Sequence, residues 1–101
     1  MSTTSTCFRI EGEFSIYRAA ELAVAMKAAL AGVPSGGTFE VDLSDVAEMD
    51  SAGVQLLISA KRSADESGRT LRIAGASQAV AEVLRTLRLA SHFGHALTDT
   101  H

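Results

Sequence analysis

The sequence predicts an α/β fold: one domain with a mixed, largely parallel β-sheet packed with α-helices. Two observations predict it. Stretches with apolar residues at every second position alternate along the chain with stretches whose apolar residues recur every three or four. That alternation joins neighbouring parallel strands through helical crossovers. The chain is also 101 residues and 10.6 kDa, 47% hydrophobic and 21% charged, which gives material for one core and the balance of a folded protein.

Residues 1–6 read as a polar N-terminal tail, and 7–101 as the folded domain. Phe8 and Ile10 alternate with Arg9 and Glu11 as in a half-buried strand extending toward Phe14. A helix is expected over Ile16–Ala31, where Ala19, Leu22, Ala23, Met26 and Leu30 share a face and Gly32 follows as a stop. Pro34-Ser35-Gly36-Gly37 breaks both periods and marks a loop. Phe39, Val41 and Leu43 alternate with Glu40 and Asp42 in a second strand, followed by a short acidic loop to Asp50. The next helix spans Ser51–Glu66, with Val54, Leu57, Ile58 and Lys61 on one stripe, Ala52, Leu56 and Ala60 widening it, and Gly68 ending it. Leu71 and Ile73 suggest a third strand. Ser77 is placed to cap a helix in which Val80, Val83, Leu84 and Leu87 follow the i, i+3, i+4, i+7 pattern. Beyond Ser91 the pattern fades, with at most a short element around Ala96 and Leu97.

Several function classes are disfavoured. A net charge of -3, a pI near 5.5 and nine scattered Lys and Arg provide no basic field for nucleic acid. No glycine pattern of a phosphate-cradling loop occurs. His92, His95 and His101 lack carboxylates or cysteines at supporting spacing, so no metal and no cofactor is expected. Ser51, His92 and Asp50 can be assembled as a triad only on paper, because the nucleophile-elbow motif is missing and adjacent residues do not take triad geometry. No catalytic residue is assigned. Cys7 is the only cysteine, so an intrachain disulfide is excluded and a reducing compartment is the simpler expectation. The opening MSTTSTCFRI has no signal-peptide pattern and no apolar run reaches membrane-spanning length. The expected location is cytoplasmic, without direct membrane insertion.

The informative stretch is Val41-Asp42-Leu43-Ser44-Asp45-Val46-Ala47-Glu48-Met49-Asp50-Ser51-Ala52-Gly53-Val54-Gln55. It runs from a strand into a helix and sets one hydroxyl where the helix begins. Asp45 and Glu48 are expected to be solvated or to serve turns, while Asp50 is placed to bond backbone N–H groups and fix the loop. Ser51 has two readings. As a helix cap it contributes about 1 kcal/mol. As a phosphorylation site it gains about 1.5 to 2 negative charges in the field of a helix N-terminus. Small Ala52 and Gly53 favour the second by leaving the serine open to a close partner. Glycine is otherwise a poor choice in a first helical turn. The apolar excess of the helix's first half also suggests an interface, although a neighbouring helix covering it is an equally simple explanation.

These residues resemble the STAS domain, named for sulfate transporters and anti-sigma factor antagonists. Val41-Asp42-Leu43-Ser44 leading to Met49-Asp50-Ser51-Ala52-Gly53-Val54 carries the likeness. Gly12-Glu13 before Ala20-Glu21-Leu22, and Leu71-Arg72-Ile73-Ala74-Gly75 before the Val80–Leu87 helix, support it over most of Phe8–Phe93. In bacterial antagonists of this type the serine after the aspartate is phosphorylated by an anti-sigma factor that is itself a serine kinase, and a PP2C-type phosphatase resets it. The resemblance therefore implies a non-enzymatic partner-switching module phosphorylated at Ser51. Asp50, Ser51, Ala52, Gly53, Val54 and Gln55 would meet the partner, and Asp42, Ser44 and Met49 would support the loop. Its output could lie in transcription or in chemotaxis-type signalling. The alternative is the cytoplasmic STAS accessory subunit of a phospholipid-transporting ABC ATPase, in which the loop hydroxyl, frequently a threonine, packs on the ATPase without phosphate. This chain departs from the antagonists at Phe14-Ser15, where they carry an acidic residue after Gly-Glu, and a final helix of some members is expected to be abbreviated.

Overall fold

The computed structural model describes residues 5–89. Along them run β1 (Ser5–Phe14), α1 (Ala19–Ala31), β2 (Thr38–Met49), α2 (Ser51–Glu66), β3 (Thr70–Ala76) and α3 (Gln78–Thr86). The sheet order is β1-β2-β3 with both pairings parallel, so the sheet expected to be mixed and largely parallel is parallel throughout the described residues. Thr6, Phe39 and Leu71 sit in one row across the strands, and Phe8, Val41 and Ile73 in the next.

Strand alternation sends Ile10, Phe14, Phe39, Val41, Leu43, Leu71 and Ile73 into one core cluster. Leu22, Met26 and Leu30 of α1, Val54 and Leu57 of α2, and Val80 and Leu84 of α3 complete it. Each large side chain so buried contributes about 1.5–3 kcal/mol. Intervening strand positions are polar and carry cross-strand ion pairs, Arg9 with Asp45 and Arg72 with Glu40. Because successive side chains point to opposite faces, the second face of the sheet is polar, with Arg9, Glu11 and Arg72 exposed.

Three expectations change. Helix α1 begins at Ala19 rather than Ile16, because residues 15–18 form a turn closed by Arg18 N donating to the Ser15 carbonyl at 3.0 Å. The Ser15 hydroxyl accepts from Tyr17 N at 3.2 Å and donates to Glu13 at 2.7 Å. Strand β2 runs on through the expected acidic loop to Met49, since Glu11–Phe14 continue to pair with Asp45–Met49 across two register shifts. Asp45 is thus an ion-paired strand residue, while Glu48 is exposed. Leu87, assigned to the core stripe of the last helix, is 50% exposed. Helix α3 stops at Thr86 and Arg88 turns the chain away at φ 60.

The wide apolar surface of α2 is partly covered from within. Leu56 and Ala60 face Ala23, Met26 and Leu30 of α1 across an inter-helix groove of about 410 Å³, and Ile58 packs on the core. Ser77 caps α3 as expected, accepting from Val80 N at 3.2 Å. His92, His95, His101 and the element proposed near Ala96 and Leu97 lie outside the described residues, as does the expected abbreviated final helix. Among the described residues no helix is long and apolar enough to cross a membrane.

Candidate functional site

Everything at the start of α2 is organised by Asp50. Its backbone is extended at φ -114 and ψ -174, and its side chain caps the helix by accepting from Ala52 N at 2.9 Å and Gly53 N at 3.2 Å. The second carboxylate oxygen accepts from Ile16 N at 3.1 Å. Asp50 N also donates to the Phe14 carbonyl at 3.3 Å. One residue therefore ties the end of β1 and the turn after it to the first turn of α2. These bonds, Ile16 N–H foremost, hold the Asp50 carboxyl below its ordinary value of 3.8.

Because Asp50 occupies the cap, Ser51 does not. It is the first helical residue and is exposed, and among the described residues its hydroxyl makes no hydrogen bond. The cap reading of this serine is thereby replaced: the structural task belongs to its neighbour, and the hydroxyl is accessible. Val54 N bonds the Asp50 carbonyl at 3.2 Å, so the donors of Ala52, Gly53 and Val54 are already engaged. A group attached to Ser51 would feel the helix dipole without displacing a free cradle of N–H groups.

Ser51 stands on the rim of an open groove of about 330 Å³ lined by Met49, Asp50, Ser51, Glu82, Val83, Thr86 and Leu87. Met49, Val83 and Leu87 make its apolar part; Asp50 and Glu82 make it acidic. On the other side of Asp50 lie Ile16 and Tyr17, 62% and 87% exposed. Neither these two residues nor the α3 wall was assigned to the site from the sequence, which reads Val83 and Leu87 as core positions. An apolar Ile-Tyr pair next to a strand end was the available signal for the former.

The remaining site residues divide. Gln55 is exposed and Ala52 half-buried beside Ser51. Gly53 and Val54 are buried, so they have no side-chain surface to present. Gly53 is small for an internal reason: a Cβ there would meet the Phe14 carbonyl oxygen at 2.6 Å and the Phe14 ring at 3.2 Å. Asp42 and Ser44 bond each other away from this rim, Ser44 N and Oγ both donating to Asp42 Oδ1, at 3.0 and 2.6 Å. The Ser44 hydroxyl is the chief cause holding the Asp42 carboxyl below its ordinary value. A Cβ on Gly75 would collide with that pair, so a side chain there would have to displace the Ser44 hydroxyl. Among the described residues no group of three or more His, Cys, Asp or Glu is placed to hold a metal ion.

A family model described as "Mlab, STAS domain" matches residues 2–98. Among solved structures, a sulfate transporter family protein from Wolinella succinogenes superposes with a TM-score of 0.73 at 19% identity, over 93% of this chain and 75% of that one. The anti-sigma factor antagonist SpoIIAA in its unphosphorylated form gives 0.68 at 21% identity, over 87% and 76%. The STAS domain of a SulP transporter from Vibrio cholerae gives 0.68 at 20% identity, over 97% and 81%. A comparison with curated proteins finds no match.

Proposed function

The chain belongs to the Mlab, STAS domain family, and we propose that it is a regulatory binding module, without catalysis of its own, whose partner is exchanged when Ser51 is phosphorylated. One observation carries this reading: the Ser51 residue is exposed and its hydroxyl unbonded among the described residues, while Asp50 does the capping. An anti-sigma factor or related serine kinase moves the γ-phosphoryl group of ATP to Ser51 Oγ, releasing ADP and the hydroxyl proton, and a PP2C-type phosphatase hydrolyses it off. Ser51, Ala52 and Gln55, with Met49, Ile16, Tyr17, Val83 and Leu87 around them, form the docking surface. Asp50 holds these pieces in one arrangement, and Gly53 and Val54 seat the turn from beneath.

The electrostatics of the groove suit a switch. Among the described residues no cation lines it, and its charged members are Asp50 and Glu82. A phosphate adds about 1.5 to 2 negative charges beside them. It would therefore project toward solvent, compatible with the helix dipole but hostile to an apolar partner on Met49 and Leu87. The proposed setting is the cytoplasm.

A second reading is an accessory subunit of a phospholipid-transporting ABC ATPase, favoured by the apolar part of the same groove, which can pack on a partner without any phosphate, and by a sulfate transporter family protein and a SulP transporter STAS domain among the structural neighbours. Capture from the native cell with Ser51→Ala and Ser51→Glu baits, read by mass spectrometry and phosphosite mapping, separates the two. Switching expects a serine kinase held by the alanine bait and lost from the glutamate bait, with phosphate mapped to Ser51. An ATPase subunit held equally by both baits, with Ser51 unmodified, refutes switching.

A further inference from the structure

Helix α1 is apolar around nearly its whole circumference, since every residue from Ala19 to Ala31 other than Glu21 and Lys27 is Ala, Leu, Val or Met. One side explains itself: Leu22, Met26 and Leu30 are buried in the core. At 3.6 residues per turn the opposite side carries Ala20, Glu21, Val24, Lys27, Ala28 and Ala31. All six are exposed, and Val24 is 71% so. An amphipathic surface helix would fill that side with polar residues, whereas here four of the six are Ala or Val and only Glu21 and Lys27 are charged.

We infer that this face binds the same face of a second copy, with the two α1 helices antiparallel and a two-fold axis at Val24. The charge pattern selects this occupant. Glu21 and Lys27 lie three residues to either side of Val24, so antiparallel pairing about that residue sets Glu21 of each copy against Lys27 of the other. The apolar positions match as well: Ala20 meets Ala28 of the other copy, and Val24 meets Val24. Such self-complementarity is what an isologous interface requires. Alanines at the crossing let the helices approach to the short end of the usual 8–10 Å range. Lys27 has no ion pair among the described residues, and Glu21 has only an exposed one with Arg18 at 3.6 Å. Both are therefore available to the pairing.

A contact built on one pair of helices, each about 20 Å long, is small, so the dimer is reversible and concentration-dependent. It uses no atom of Ser51 and goes beyond the partner-switching reading. A Ser51→Ala variant should dimerise like the parent, so failure of one proposal leaves the other standing.

Sedimentation velocity of the full chain from micromolar to millimolar concentration tests it. The parent should pass from monomer to dimer. Val24→Glu puts two carboxylates at the axis and should weaken the dimer by about tenfold or more. Glu21→Lys and Lys27→Glu should each weaken it, and the double exchange should restore it, because the opposite charges again face each other. These positions are exposed, and unchanged thermal melts will show that the variants fold. A monomer at every concentration, a dimer indifferent to Val24→Glu, or a double exchange no better than the singles overturns the inference.

Discussion

Replacing Gly53 with alanine tests whether the start of α2 is held against β1 by direct backbone contact. The added Cβ would sit 2.6 Å from the Phe14 carbonyl oxygen, where side-chain carbons essentially never come within 3.0 Å, so the elements must part by at least about 0.4 Å. The obstructing atom is backbone, which has no rotamer to yield, and the Phe14 ring at 3.2 Å closes the sideways route. Separation also lengthens the bond from Asp50 N to the Phe14 carbonyl, already 3.3 Å. Overpacking costs about 1–3 kcal/mol, and against a backbone atom that cannot yield the upper part of that range, about 2–3, applies; the gain in helix propensity on losing a glycine returns about 1. The net expectation is a loss of about 1–2 kcal/mol. In urea unfolding, with a slope of about 2 kcal/mol per molar, the midpoint should fall by roughly 0.5–1 M with the slope unchanged. Ala52→Gly, one position earlier, meets no such wall and should lose only the ordinary glycine penalty of about 0.5–1 kcal/mol. A Gly53→Ala midpoint equal to or above the parent's would refute the close-approach argument and return Gly53 to the role of clearing space for a partner.

Other outcomes follow from the same geometry. Ser77→Ala should lower stability by about 1 kcal/mol in thermal melts, because Val80 N loses its acceptor, while Ser51→Ala should stay within about 0.5 kcal/mol because Asp50 still caps α2. Acid should weaken the fold through Asp50 and Asp42. Their folded carboxyls lie below 3.8, so their contribution is complete above that pH and disappears as pH falls through the lower folded values. Asp50→Asn should flatten that part of a stability-versus-pH curve; an unaltered acid limb would remove Asp50 from the account.

How much could be read from residue order differs from element to element. Helix α2 appears at Ser51–Glu66 as periodicity and its flanking residues indicate, since a cap and a stop are signals within a few residues of the ends they define. Helix α1 begins three residues late because Ser15 makes a turn whose bonds reach back to Glu13 and forward to Tyr17 and Arg18, which a count of apolar spacing does not register. The acidic segment Asp45–Met49 looks like a loop in composition, yet it pairs with Glu11–Phe14, and pairing is a property of two segments at once. Ser51 and Asp50 were found as a motif, but their roles were separable only in space.

Periodicity, charge and turn residues act over a few positions, and for that reason the order of elements, the apolar interior faces and the strand-to-helix junction carrying Ser51 could be deduced before any coordinates. The surroundings of that serine could not. Phe14, Ile16, Asp50, Val83 and Leu87 converge from three stretches of chain, and their meeting depends on how β1, α2 and α3 pack, so no local pattern encodes that Asp50 takes the cap, that Gly53 is buried or that Leu87 is left half in solvent.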